Sequence, residues 1–191
     1  MTLTKKVHEL KLFSSPIFIV EAMPEESSVI KNGFLWALML EENSCSVSKS
    51  NQGGFQSEAS TKFDALPSEL FKLIKRKLEF LARFHFGHWW ININRQGDFN
   101  QLHSHPISDI SVVYYLSSSK SAIVFQHPSY HSRWLYNQAT GSNHFEKIMA
   151  KEGDMIVFPA DLQHYVEPNQ TEDPRISIAI NLNFSNLKTK T

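Results

Sequence analysis

The chain has 191 residues, 41% hydrophobic and 12% aromatic, with 19 Lys and Arg balanced by 19 Asp and Glu. That is one domain's length and a composition that favours a packed globule over disorder, and Cys45, the single cysteine, excludes an internal disulfide. No basic stripe, membrane-length apolar run or secretory leader in residues 1–20 is present, so the expectation is a cytoplasmic protein with neither nucleic-acid nor membrane partner.

In chain order, "KLFSSPIFIVEA" (11–22) reads as a strand after a Ser-Ser-Pro turn. "VIKNGFLWALMLEEN" (29–43) reads as a short helix with Phe34, Leu35 and Leu38 on its apolar face. "SCSVSKSNQGGFQSEAS" (44–60) is Ser- and Gly-rich and reads as a surface loop, long enough to be a functional one. Cys45 within it is an incidental thiol with no basic partner near it in sequence. "LPSELFKLIKRKLEFLARFHF" (66–86) is the clearest helix, with Leu70, Leu73, Ile74, Leu78 and Leu81 at helical spacing. Its Lys72, Lys75, Arg76 and Lys77 form a solvated face. His85 and His88 would sit at its C-terminal end, where a cation suits the dipole.

After Gly87 the pattern changes to short segments separated by turns. Strands are expected over 88–95, 101–105, 109–116, 121–128, 154–159, 163–168 and 175–184, with turns at Gln96-Gly97-Asp98 and Gly153-Asp154. The fold class is mainly β with N-terminal helices. One domain spans 1–191, with 1–87 a mixed supporting region and 88–185 a β barrel or sandwich core.

Alternation in the last strand is informative. Arg175, Ser177, Ala179, Asn181 and Asn183 share one face, and Ile176, Ile178, Ile180, Leu182 and Phe184 the other. "WWININ" repeats the pattern, with Trp90, Asn92 and Asn94 opposite Trp89, Ile91 and Ile93. The polar faces read either as solvent-facing sheet or as the lining of a barrel that holds a small ligand. His103 and His105, two apart in "NQLHSHPISDISVVYYL", project to one side of a strand. Alone, such a pair is more often incidental than metal-binding. His164, in "GDMIVFPADLQHYVEP", offers a third imidazole from a distant strand. Three such ligands make a facial set with open positions for substrate. Arg175, eleven residues on, suits bidentate recognition of a carboxylate, and Ser177 adds a hydroxyl. Together they describe a pocket for a chelating keto acid. Tyr115, Asn92, Asn94 and Asn181 are candidate pocket donors. His127, His131 and His144 lie among loop signals and read as surface residues.

These segments resemble a small family of 2-oxoglutarate/Fe(II) oxygenases of bacteria and phages. Its pattern runs Trp-x-Asn, Asn-x-x-His-x-His-Pro, Ser-x-x-Ser, Tyr-Tyr, Phe-Pro, His-x-Val-x-Pro and Arg-x-Ser-x-x-x-Asn. The likeness covers most of the chain and is strongest over 89–184. The resemblance implies a double-stranded β-helix, Fe(II) held by His103, His105 and His164, and 2-oxoglutarate as cosubstrate with Arg175 and Ser177 at its far carboxylate. It implies hydroxylation of a small-molecule or amino-acid-like substrate by O2, with release of succinate and CO2; a homodimer is a further expectation. Two departures stand out. Val112 replaces a usual glycine and is expected to narrow the pocket. His105 stands where the wider superfamily has Asp or Glu, so three neutral imidazoles would leave Fe(II) at +2, and the dianionic cosubstrate would neutralise it. Asp109 is then a candidate acceptor for a histidine N–H. The rival readings are a cupin-like three-histidine dioxygenase that uses no keto acid, and a non-catalytic jelly-roll binding protein.

Overall fold

The computed structural model describes residues 15–129 and 145–184, together with Gln138 and Gly141. His131 and His144 lie outside the described residues. The chain begins with β1 (Phe18–Val20) and α1 (Ser27–Asn43), then β2 (Asn51–Gln52), β3 (Phe55–Gln56) and α2 (Ser68–Lys77). Eight strands follow: β4 (Phe84–Asn94), β5 (Phe99–His103), β6 (Ile110–Tyr115), β7 (Ile123–Gln126), β8 (Phe145–Ile148), β9 (Met155–Pro159), β10 (His164–Val166) and β11 (Arg175–Phe184). They form a six-stranded sheet, β1-β9-β6-β11-β4-β3, and a five-stranded sheet, β2-β5-β10-β7-β8. Every pairing is antiparallel. The two sheets face each other through Val113, Tyr115, Ile156 and Phe158 of one and Ile123 and Phe125 of the other, the jelly-roll arrangement expected.

The outer face of the six-stranded sheet is the main core. Ile176, Ile178, Ile180 and Leu182 of β11 and Trp89, Ile91 and Ile93 of β4 pack with Ile30 and Ala37 of α1 and Leu70, Leu73 and Ile74 of α2. Two helices on one sheet face therefore bury the apolar half of each alternating strand. The helices are pinned to each other at the buried Glu26, whose carboxylate accepts from Lys77 Nζ at 2.8 Å and Arg76 Nη2 at 3.2 Å.

Several expectations change. The second helix ends at Lys77, not near residue 86. A turn and a left-handed Arg83 (φ 59°) intervene, and β4 has begun at Phe84. Pairing with β11 outcompetes the helical pattern there, with Phe84 opposite Phe184 and Phe86 opposite Leu182. His85 and His88 consequently lie on a strand, not at a helix end. The loop 44–60 contains two short strands, β2 and β3, joined by a turn at Gly53 and Gly54. Both glycines have positive φ, and a Cβ on Gly54 would fall 2.4 Å from the Ile93 carbonyl oxygen, so no larger residue fits. β2 pairs with β5 and β3 with β4, so this segment joins the edges of both sheets, and strands from before residue 88 belong to the sheets as well. Finally, β8 carries no alternation in its sequence, Phe-Glu-Lys-Ile, and was not anticipated.

Candidate active site

The sheets bring the three histidines together. β10 pairs with β5 so that His164 stands directly opposite His103. β5 ends at His103, so His105 is not on the strand as expected. It lies in the following turn, held there by its backbone N–H donating to the Ala160 carbonyl at 2.7 Å. Ring centroids are 4.3 Å apart for His103 and His164, 5.1 Å for His103 and His105, and 5.2 Å for His105 and His164. One nitrogen from each ring falls within a group whose members all lie within 4.8 Å of one another, spacing that could hold a metal ion.

The other nitrogen of each ring is already committed. His103 Nδ1 is 2.7 Å from the Gln101 carbonyl and His164 Nδ1 is 2.9 Å from the Leu162 carbonyl. A carbonyl only accepts, so both rings carry their hydrogen on Nδ1 and leave Nε2 bare. His105 Nδ1 faces Ser111 Oγ at 2.6 Å and Asn181 Oδ1 at 3.1 Å. Asp109, the expected acceptor, instead takes the Phe184 backbone N–H at 2.7 Å. Burial pushes His164 down to about 3 and His105 down to about 4, with the neighbouring His103 adding to both shifts; burial also lowers His103, against its hydrogen bond to Gln101. All three imidazoles are thus neutral at pH 7 and primed as metal ligands, which fits a divalent ion.

The inner face of β11 is polar, and it is buried from Arg175 to Ala179. Arg175 is 1% exposed, and its Nη2 donates to Tyr115 Oη at 3.2 Å. The guanidinium carbon lies 5.0 Å from the Tyr115 ring centroid. Its Nε is buried with no hydrogen-bond partner among the described residues. A guanidinium carries a permanent charge, and burying one without an anionic partner is costly. No Asp or Glu pairs with it among the described residues. The site therefore fits a carboxylate brought by a ligand. Burial also raises the Tyr115 phenol, although Arg175 opposes that shift, so the phenol is a neutral hydroxyl. Ser177 is buried between Asn92 and Tyr115 in register. Asn92 and Asn94 each keep a buried Oδ1 without partner among the described residues, and Asn94, opposite Arg175, donates through Nδ2 to Asn100 Oδ1 at 3.2 Å.

Above the histidines an open cleft of about 1290 Å³ reaches His103 and His105. One wall is the stretch around β2 and β3, with Lys49, Gln56 and Glu58; the other is the turn after His105, where Ile107 is 95% exposed. Trp90, also in the lining, stands edge-on to His105 at 5.2 Å. His88, expected at a helix end, lines this cleft from β4. Val112 is not near the pocket: it is buried on the outer face among the core residues, in register with Ile180 and Val157. Sequence reasoning missed Ser111, Trp90 and Gln56. Trp90 shares the alternation of Asn92 and Asn94, and Ser111 shares that of Tyr115, which is the signal that could have found both.

Residues 88–181 match the model of a family described as "Putative 2OG-Fe(II) oxygenase". No curated protein sequence matches the chain. Among solved structures it is similar to a Pseudomonas putida prolyl-4-hydroxylase, with TM-score 0.65 and 11% identity over 91% of this chain and 95% of that one. It is similar too to the non-heme alpha ketoglutarate dependent epimerase SnoN from nogalamycin biosynthesis (TM-score 0.64, 13% identity, 93% and 86% covered). A third is HygX from Streptomyces hygroscopicus with nickel and 2-oxoglutarate bound (TM-score 0.61, 10% identity, 90% and 83% covered). These likenesses show the shared double-stranded β-helix fold.

Proposed function

We propose that the chain, whose residues 88–181 match the 2OG-Fe(II) oxygenase family model, is a 2-oxoglutarate/Fe(II)-dependent oxygenase that hydroxylates a C–H bond of a small-molecule or amino-acid-like substrate. Fe(II) and 2-oxoglutarate are its cofactor and cosubstrate, and O2 and a primary substrate its co-reactants. Bound Fe(II) supplies oxygen activation, coupled to decarboxylation of 2-oxoglutarate to succinate and CO2. In this reading His103, His105 and His164 hold the ion through Nε2, each with its Nδ1–H fixed by a neutral acceptor. Arg175 holds the far carboxylate of 2-oxoglutarate, and Tyr115 orients the guanidinium while Ser177 offers a hydroxyl on the same face. Asn92 and Asn94 shape the polar floor. The substrate enters by the cleft, past Trp90, on the side where His103 and His105 are accessible.

The observation that carries this reading is the pairing of three converging bare imidazole nitrogens with a buried arginine whose Nε lacks a partner among the described residues. A three-histidine dioxygenase without a keto acid would have no use for that arginine. The outcome is assigned as hydroxylation on the likeness to a protein named a prolyl-4-hydroxylase; the epimerase SnoN represents the other outcome this fold supports. We place the protein in a reducing cytoplasm, in keeping with Cys45 as an exposed free thiol. No helix among the described residues is long and apolar enough to cross a membrane. The test is oxygen uptake and succinate formation with Fe(II) and 2-oxoglutarate, first alone and then across a substrate panel. A product heavier by one oxygen, labelled from 18O2, is expected. No oxygen uptake and no Fe(II)-dependent conversion of 2-oxoglutarate to succinate, alone or with any substrate of the panel, would refute the reading.

A further inference from the structure

Asn181 is committed on one side and free on the other. Its Oδ1 accepts from Ser111 Oγ–H at 3.1 Å and stands 3.1 Å from His105 Nδ1. The two ends of a carboxamide are alike in shape, so chemistry decides which faces the ring. If His105 offers Nε2 to a metal, it carries its hydrogen on Nδ1 and needs an acceptor. Oxygen must then face His105, and Nδ2 is turned the other way. Asn181 is half-buried and lines the cleft. Its Nδ2 has no hydrogen-bond partner among the described residues, yet is not one of the buried polar atoms left unpaired, so it is open to the cleft. The result is a donor held at a fixed angle beside His105.

The surroundings narrow what that donor meets. Trp90 supplies an apolar ring edge to His105 on the same side. The cleft lining holds one lysine, Lys49, and one glutamate, Glu58, with hydroxyls and carboxamides such as Gln56 and Asn183 between. A phosphate or sulfate would find no cluster of cations there. A neutral oxygen acceptor is the group that an uncharged N–H donor in such a setting recognises.

We infer that Asn181 acts in both directions: Oδ1 fixes the tautomer and tilt of His105, and Nδ2 orients the substrate through a neutral carbonyl oxygen next to the bond to be oxidised. This rests on the oxygenase reading for its substrate half and on metal ligation by His105 for the other. It makes Asn181 and Ser111 positioning residues for the metal, and Asn181 a specificity determinant for substrates built on an amide or similar carbonyl.

The test uses the full chain in two arms. In the first, Fe(II) is titrated anaerobically into protein saturated with 2-oxoglutarate and followed by the visible charge-transfer band. Asn181→Asp keeps both acceptor roles, so Fe(II) should bind at least as tightly as in the wild type. Asn181→Leu and Ser111→Ala each remove an acceptor, and Fe(II) affinity should fall about 10- to 100-fold, with the band displaced. Unchanged affinity in both overturns the His105 half. In the second arm, the probes are the N-acetyl amides of the twenty amino acids, and the readout is succinate release above the probe-free rate. At least one probe should stimulate the wild type, and that stimulation should be lost in Asn181→Asp, where a carboxylate repels the carbonyl although iron still binds. Equal stimulation in Asn181→Asp, or none in the wild type, overturns the carbonyl half. Absence of any Fe(II)- and 2-oxoglutarate-dependent succinate from the wild type would instead sink the oxygenase reading. The first arm stays interpretable in that case because it needs no turnover.

Discussion

The two faces of the six-stranded sheet share one backbone and differ in what they are for. Along β11, Ile176, Ile178, Ile180 and Leu182 turn outward and are fully buried beneath the helices. Arg175, Ser177, Ala179 and Asn181 turn inward, toward Tyr115, Asn92, Trp90 and Ser111 on the neighbouring strands. The outer face is apolar but for the Tyr114 hydroxyl, which is buried without a partner among the described residues, and it is held by packing. The inner face carries a guanidinium and carboxamides, and the buried Arg175 Nε and Asn92 Oδ1 lack partners among the described residues. Burial therefore means stability on one side of the strand and readiness for a ligand on the other. A face that is buried but not internally satisfied points to what must come from outside.

Substitutions can break or sharpen that division. The largest effect is expected at His164, which is 3% exposed on β10. His164→Ala should take Fe(II) retention and succinate formation to background while far-ultraviolet circular dichroism remains that of a folded protein. Full retention of iron by this variant would remove His164 from the ligand set. On the outer face, Ile178→Ala should cost about 2–5 kcal/mol. For a domain of this size that lowers the thermal midpoint by roughly 4–20 °C, with the 2-oxoglutarate constant of the folded fraction within about threefold of wild type, since a change of under about 0.5 kcal/mol is what a site left untouched should show.

Arg175→Ala should show the reverse. Charge-assisted hydrogen bonds contribute about 1.5–3 kcal/mol, and a carboxylate left without its partner raises the loss. The apparent 2-oxoglutarate constant should rise on the order of a hundredfold, at about tenfold per 1.4 kcal/mol. Iron content should stay near that of the wild type. Arg175→Lys should do less harm without restoring the wild type, because a point charge lacks the planar fork. A constant changed by less than about threefold would return Arg175 to a structural role.

Acid should separate the faces as well. The histidine pKa values lie below the ordinary 6.5 in the folded apoprotein, so below that pH the unfolded chain binds more protons. Their contribution to stability is complete above about 6.5 and is lost as pH falls toward about 4 and then 3. The slope is about 1.4 kcal/mol per pH unit for each histidine involved. Chemical denaturation of metal-free protein across this window should show the loss, and His164→Ala should flatten it. A profile that is flat between pH 6.5 and 4 in the wild type would contradict buried neutral imidazoles. The smallest effect is expected for Tyr115→Phe, which removes one hydrogen bond to Arg175. Worth about 0.5–1.5 kcal/mol, it should raise the 2-oxoglutarate constant by no more than about tenfold and leave iron binding alone.

Period-two alternation in "WWININ" and "RISIAINLNF" was enough to divide each strand into an apolar and a polar face, because side-chain direction follows from the extended backbone itself. The same alternation put Arg175, Ser177 and Asn181 together. What it left open, solvent or lining, was decided by the second sheet, whose Phe125 and Ile123 pack against the inner face and turn it into an interior. The helix over 29–43 was legible from its apolar spacing, whereas Phe84 and Phe86 went to a strand because a distant partner, β11, offered them pairing. Local sequence carries no trace of that competition. The convergence of the histidines shows the same limit. Spacing placed His103 and His105 side by side, but only the pairing of β10 with β5 set His164 opposite His103, and only the sheet-to-turn contact at Ala160 aimed His105 at them. The exchange of Asp109 for Ser111 and Asn181 as partners of His105 has the same cause. Residue chemistry and face are properties of the chain and its backbone geometry, while the choice of neighbour across a gap of some seventy residues is made by hydrogen-bonded register and packing, which exist only once the sheets have closed.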